Sequence, residues 1–413
     1  MYIPRILAEP FRKALSLFPA ILVTGPRQSG KTTFLLEEFS DQFEYASFDD
    51  PLERSFALSD PNGFLDRFKE HPVILDEIQY APEILPYLKI RIDRERQKRG
   101  HWILTGSQQF QLMRRITESL AGRIAILELL PFSFLEIRKY FPDRSLEMTL
   151  WLGGYPEVVV YPEKRDLWMR SYIQTYIERD VRQLQNVRDL HLFEQFLALC
   201  AANHAQEHRH THLSRELGVS VPTIKSWISV LEASYIVYLL PPYFKNFGKR
   251  VVKTPKLYFL DSGLVATLTR QPGPEAALSG AMGGALFEGW IISETIKAFS
   301  NKGLRPDIYF WRSHDGLEVD LLIRAQGKLY PVEIKLTATP TMKHITPLER
   351  FKKLALEESA ETGILVCRVG EKTPLPRGNV ALPWQEFPSW LSDLLEIERN
   401  LAERVTGKNL PGK

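Results

Sequence analysis

Short apolar runs that end in polar or glycine residues punctuate the first quarter of the chain. Ile21-Leu22-Val23-Thr24 runs into Gly25, Val73-Ile74-Leu75 ends on Asp76-Glu77, and Trp102-Ile103-Leu104 gives way to Thr105-Gly106-Ser107. Between them lie stretches of helical character such as residues 33–39. Strands alternating with helices predict an α/β fold around a parallel sheet. After the break at Gly153-Gly154-Tyr155-Pro156, Leu167, Tyr172, Tyr176 and Val181 recur at helical spacing among Arg170, Glu178, Arg179, Asp180 and Arg182, predicting a helical segment over 153–200. Residues 213–220 and 221–231 read as helix, tight turn at Gly218, helix. The apolar runs 235–240 and 257–260 add β-like segments, so 201–270 reads as a winged-helix-like unit. Leu286 to Glu294 opens an amphipathic helix, and the strands 309–312, 317–323, 329–335 and 363–367 follow. This last α/β unit spans 280–395, with Trp384, Phe387, Trp390 and Leu391 covering a core edge and a polar, basic tail over 396–413.

Length and composition bound this picture without changing it. At 413 residues the chain holds two to four domains. A net charge of +3 is too small to mark a nucleic-acid binder by itself. Cys200 and Cys367 make no disulfide framework, which suits a reducing cytoplasm. No run approaches the roughly 20 apolar residues of a membrane span, and the first residues are broken by Arg5, Glu9, Arg12 and Lys13. The expectation is a cytoplasmic protein without membrane contact.

The chemistry begins where the first strand ends. Gly25, Pro26, Arg27, Gln28, Ser29, Gly30, Lys31 and Thr32, with Thr33 behind them, form a phosphate-binding loop in the strand–turn–helix context that the motif requires. Its backbone amides and the helix N-terminus would face the phosphates of ATP, with Lys31 as a point charge and Thr32 as a ligand to Mg²⁺. Asp76 is the expected partner of that Mg²⁺, and Glu77 the residue that prepares water for attack. Ser107 or Thr105 is a candidate γ-phosphate sensor, or else a helix cap. Arg123 is the first candidate for an arginine finger and Arg114 or Arg115 the reserves, against the alternative of solvated surface arginines. A finger acting in trans would require at least a dimer; one in cis would not.

Together GPRQSGKTT, VILDEIQ, ILTGSQ and SLAGR, followed by Leu130-Pro131-Phe132-Ser133-Phe134-Leu135-Glu136, resemble a widespread prokaryotic group of AAA-superfamily ATPases. In that group the ATPase, here residues 1–152, is paired with a C-terminal domain catalogued as of unknown function. The resemblance implies ATP binding and hydrolysis, and a helical lid for residues 153–200.

Two further constellations invite chemistry. Thr223, Lys225, Ser226 and Ser229 would face a DNA groove, with Lys245, Lys249, Arg250 and Lys253 on the wing, although units of this shape also dock proteins. In the C-terminal unit a tight turn at Gln326-Gly327 would set Asp320 opposite Glu333 and Glu318 opposite Lys335, all on one face. An acid, then acid-x-lysine across a hairpin, resembles the restriction-endonuclease-like phosphodiesterase core. That likeness implies a second Mg²⁺ at Asp320 and Glu333, water positioned by Lys335, a helix acid at Glu288 or Glu294, and DNA or RNA as substrate. The alternative is an inherited fold whose acids merely pair with Lys335 and nearby arginines. Cys200, His204 and His208 lie four apart as a zinc stripe would, although the run from His208 to His212 suits a solvated helix end.

Overall fold

The computed structural model describes residues 1–107, 115–116, 118–177, 190–244 and 254–407, with backbone alone at 176, 177, 190 and 398–407. Arg114, Glu178, Arg179, Asp180, Val181, Arg182, Lys245, Lys249, Arg250 and Lys253 lie outside the described residues, as does the Tyr176 side chain.

Five strands form the first sheet: β1 (Ala20–Gly25), β2 (Glu44–Ser47), β3 (Val73–Asp76), β4 (Trp102–Ser107) and β5 (Ile124–Glu128). All are parallel, in the order β2-β3-β4-β1-β5. Every residue of β1, β3 and β4 is buried, as continuous apolar runs covered on both faces must be. Because β4 is inserted between β1 and β3, its end stands between the loop after β1 and the acids after β3. Gly25 pairs directly with Ser107. All strand C-termini gather along one edge, where open α/β sheets bind ligands.

The middle of the chain supplies helices Leu190–Ala202, His210–Leu217 and Val221–Ala233 and a three-stranded sheet. Its strands β6 (Gln206–Glu207), β7 (Val237–Leu240) and β8 (Lys256–Phe259) run in the order β6-β8-β7. Gly218 adopts the left-handed conformation that ends one helix, and the Ser220 hydroxyl caps the next by accepting from the Thr223 amide. Ile224, Trp227, Ile228 and Leu231 turn inward, leaving Lys225 and Ser229 exposed. In the preceding helix, Arg165–Tyr172, Met169 and Tyr172 are buried but Leu167 is 72% exposed, so the predicted apolar stripe does not include it.

The last sheet has β9 (Ile308–Arg312), β10 (Glu318–Ala325), β11 (Lys328–Ile334), β12 (Ile364–Cys367), β13 (Thr373–Leu375) and β14 (Asn379–Pro383). Their order is β13-β14-β12-β11-β10-β9. Gln326 and Gly327 both take positive φ, the two-residue turn that suits strand twist, so Leu321 pairs with Val332 and Asp320 falls opposite Glu333. Against β9, β10 carries a bulge between Val319 and Leu322, the stretch that holds Asp320.

Helix Gly283–Asn301 was expected to be amphipathic, yet it is buried on nearly all sides. The reason is its position: it packs on β8, β5 and β11 as well as on helix Phe387–Gly407. A single apolar cluster runs from Leu130 through Phe196, Trp227, Tyr258, Phe287 and Val332 to Leu395. Residues on both sides of 200 and of 270–280 contribute to this shared core. The final helix continues to Gly407, through most of the segment expected to be a tail.

Candidate functional site

The loop after β1 is shaped by two glycines. Gly25 has φ 151°, and a Cβ there would lie 2.2 Å from the Leu129 carbonyl oxygen, so no other residue fits. Gly30 has φ 89° and Gln28 φ 61°, an alternation that turns successive amides toward a common centre. Helix Lys31–Phe39 starts at once, adding N-terminal amides that have no acceptor within the helix. Lys31 is buried, and its ammonium donates to the carbonyls of Gly25 (3.2 Å) and Pro26 (2.9 Å). Thr33 is exposed on the first turn.

The acids meet this loop through hydroxyls. Thr32 Oγ1 donates to the Asp76 carboxylate, at 3.1 and 3.0 Å from its two oxygens. The Tyr45 hydroxyl donates to Asp76 Oδ2 at 2.8 Å, and Thr105 Oγ1 donates to Oδ1. The Thr105 hydroxyl also accepts from the Glu77 amide at 3.1 Å, which steadies Glu77 in a left-handed conformation rare for a non-glycine residue (φ 57°). Burial raises the Glu77 carboxyl above its ordinary range, while Lys31 and a hydrogen bond from Gln79 oppose that rise. Ser107 Oγ, beside the loop, and Ser29 Oγ, within it, are buried without a hydrogen-bond partner among the described residues. Two orphan hydroxyls, a cationic lysine and a hydroxyl–carboxylate pair suit a phosphate chain with its Mg²⁺.

Arg123 is not brought to this centre within the chain. Ala20, at the far end of β1, pairs with Ile124, which leaves Arg123 a strand length of roughly 17 Å from Gly25. There it makes a two-pronged contact with Asp93 at 2.7 and 3.0 Å. Arg115 pairs with Glu83 at 3.0 Å on the surface.

The C-terminal acids also assemble. Lys335 Nζ lies 2.8 Å from Asp320 Oδ2 and 2.8 Å from Glu333 Oε1. The Ile334 amide donates to Asp320 Oδ2 at 2.9 Å. Glu288, on helix Gly283–Asn301, accepts from Tyr258 at 2.6 Å and from Lys256 at 3.1 Å, and Lys256 bridges onward to Glu318. Burial, then the neighbouring Asp320 charge, pushes the Glu288 carboxyl up to about 7. The same two causes raise Glu333 well above the carboxylate range, and its Oε2 is buried without a partner among the described residues. Burial would lower the Lys335 pKa, but Asp320 and Glu333 together raise it instead. Glu294 stands apart from this cluster: it accepts from the Phe134 amide at 2.7 Å and pairs with Lys297.

Among the described residues, no three His, Cys, Asp or Glu side chains converge in a way that would hold a metal ion. In the C-terminal cluster Lys335 pairs with Asp320 and Glu333, and Lys256 with Glu288 and Glu318. The zinc stripe does not form either. Helix Leu190–Ala202 ends before His204, which turns inward to accept from the Phe259 amide at 3.1 Å. Arg5, Tyr45, Lys256 and Tyr258 carry no local motif, so nothing in the sequence around them marks their roles. No described helix is long and apolar enough to cross a membrane.

Residues 17–138 match the AAA domain family, 143–275 a domain of unknown function (DUF8612), and 283–387 another (DUF4143). Among solved structures, the Walker-type ATPase PABY2304 of Pyrococcus abyssi overlaps 63% of this chain and 94% of its own, at 17% identity and a TM-score of 0.43. That overlap is too slight to bring function across. Uncharacterized protein MJ1544 of Methanocaldococcus jannaschii is 23% identical over 271 residues, 58% of this chain and 60% of its own. Uncharacterized protein Rv2008c of Mycobacterium tuberculosis is 30% identical over 385 residues, 92% of this chain and 83% of its own. A likeness sustained over that much of both proteins is common descent, and the chain belongs to the family of this mycobacterial protein, with an AAA-type ATPase fold at its N-terminal end.

Proposed function

We propose that the protein binds ATP with Mg²⁺ at the loop of residues 25–32, hydrolyses it, and uses that cycle to control a C-terminal half that engages nucleic acid or another protein. The observation that carries this reading is the network Thr32–Asp76–Thr105–Glu77, which joins the phosphate loop to both acids through hydroxyls. Lys31 would neutralise phosphate, and Thr32 and Asp76 would hold Mg²⁺. The metal, when bound, offsets phosphate charge. Glu77, kept partly desolvated, would accept the proton of the attacking water at its carboxylate. Ser107, beside Gly25, would report on the terminal phosphate. Arg123 could serve only a neighbouring copy's nucleotide, because its own loop lies a strand length away. ATP turnover by the purified protein should vanish in Lys31→Ala; turnover that survives this change refutes the reading.

A second reading gives the C-terminal unit catalysis. It is supported by the Glu333 carboxylate oxygen that is buried and unpartnered beside Asp320 and Lys335. A cation at Asp320 and Glu333, with Glu288 nearby, would complete an endonuclease-like site, and Lys335 would position water. The helix–turn–helix with its three-stranded sheet supports a winged-helix role in presenting DNA or RNA. This reading predicts Mg²⁺- or Mn²⁺-dependent nicking that disappears in Glu333→Ala while ATP turnover persists. Salt-sensitive nucleic-acid binding without cleavage would instead leave a nucleotide-switched binding module.

A further inference from the structure

Arg5 precedes the first helix, Ala8–Leu17, and belongs to no motif, yet its guanidinium is buried against the phosphate loop. Each nitrogen has its own acceptor. Nη1 donates to the Ser29 carbonyl at 2.9 Å, Nε donates to Glu136 Oε1 at 2.9 Å, and Nη2 donates to the Leu130 carbonyl. The guanidinium also lies 4.7 Å from the centre of the Phe132 ring.

The Ser29 contact has a geometric consequence. In a trans peptide the carbonyl and the following amide point in opposite directions. A donor that holds the Ser29 carbonyl on the outer side of the loop turns the Gly30 amide toward the inner side. The Tyr172 hydroxyl acts similarly on the Arg27 carbonyl, at 3.4 Å, and so on the Gln28 amide. Gln28 and Gly30 are the two residues of the loop interior with positive φ. Left-handed residues alternating with ordinary ones form an anion nest, whose amides must converge against their own mutual repulsion. Arg5 resists that repulsion from behind. Through Leu130 it also ties the loop to the end of β5, next to the Leu129 carbonyl that crowds Gly25.

We propose that Arg5 is a positioning residue for nucleotide: it sets the peptide planes of the phosphate loop so that the amides already converge when the phosphates arrive. Its hydrogen bond to the loop goes to the Ser29 carbonyl. This inference rests on the ATP-binding reading above.

Steady-state ATP turnover and calorimetric titration with Mg²⁺-ADP would be compared for wild type, Lys31→Ala, Arg5→Lys, Arg5→Met and the double variant Arg5→Met with Glu136→Gln. Loss of one charge-assisted hydrogen bond to the loop corresponds to roughly a ten- to hundredfold effect. The expected result is a KM for ATP and a Kd for ADP raised by that factor in Arg5→Met, with kcat changed less than about threefold. Arg5→Lys, which reaches fewer acceptors, should fall between. Glu136 also accepts from the Ile6 and Ser133 amides and the Ser133 hydroxyl. The double variant removes the buried charge that loses its cation while an amide oxygen keeps part of that set, so it should regain thermal stability without regaining affinity. If Arg5→Met does not fold, the double variant decides. Wild-type affinity in either variant, or affinity that returns together with stability, overturns the proposal. If wild type does not bind ADP, or Lys31→Ala binds it unchanged, the ATP-binding reading itself fails.

Discussion

Lys256 Nζ lies 3.1 Å from Glu288 Oε1, so β8 of the middle sheet delivers a buried ammonium into an acid cluster whose carboxylates all come from the C-terminal unit. Tyr258, two residues along the same strand, donates to the same oxygen. Lys256→Met should therefore act as a stability mutation across two units. Glu318 keeps Arg312 at 3.5 Å, but leaving Glu288 without this cation should cost about 3 kcal/mol, read from chemical denaturation, and Glu288→Gln in the same chain should recover much of the loss.

Glu77→Gln should separate binding from turnover. The amide cannot accept a proton, so kcat should fall about 100-fold or more while Mg²⁺-ADP still binds. In wild type, burial raises the Glu77 carboxyl, and the residue acts only when ionised. Turnover should therefore fall as the pH is lowered, through a midpoint above the ordinary glutamate value. A kcat profile flat down to pH 4 would rule Glu77 out as the base.

Gly25→Ala places a methyl group 2.2 Å from the Leu129 carbonyl and on a backbone angle that alanine resists. The loop or β5 must shift. The expected result is a loss of about 2 kcal/mol or more, with ATP affinity falling alongside it, measurable by thermal melting and titration.

Acid should weaken the middle unit in particular. His204 and His208 are buried and carry pKa values pushed down, to about 3 and about 4, by loss of hydration. In the unfolded chain both titrate near 6.5, so between these values the unfolded state binds more protons. Stability is then complete above pH 6.5 and declines as the pH falls, by about 2 kcal/mol per histidine between pH 6.5 and 5. Urea midpoints measured at pH 7 and pH 5 in His204→Gln and wild type check this, because the variant should lose less on acidification.

What the sequence made legible follows the reach of local rules. The loop at residues 25–32 is contiguous, and its glycines, lysine and threonine need only a strand before and a helix after. Asp320 and Glu333 lie 13 positions apart, yet the Gln326-Gly327 turn fixes their pairing from within. Arg5 escapes such rules because its acceptors stand 24, 125 and 131 positions away. Lys256 does too, since Glu288 comes from another unit. Arg123 shows the complementary failure. A motif places it after the sensor strand, but only the pairing of Ala20 with Ile124 reveals which end of the sheet it occupies. Leu167 shares the helical spacing of its apolar neighbours and still faces solvent, since hydrophobic residues are often found on surfaces.

The apolar core that runs from Leu130 to Leu395 has a practical consequence for anyone dividing this protein. Helix Gly283–Asn301 has almost no outer face, so a chain ended before it would bare the seats of Phe287, Ile291 and Ile296. Such a fragment would carry the phosphate loop intact and still behave in the test tube as a sticky, half-built body. The N-terminal sheet keeps apolar clusters of its own, but the units that follow it share one core and should be expressed together.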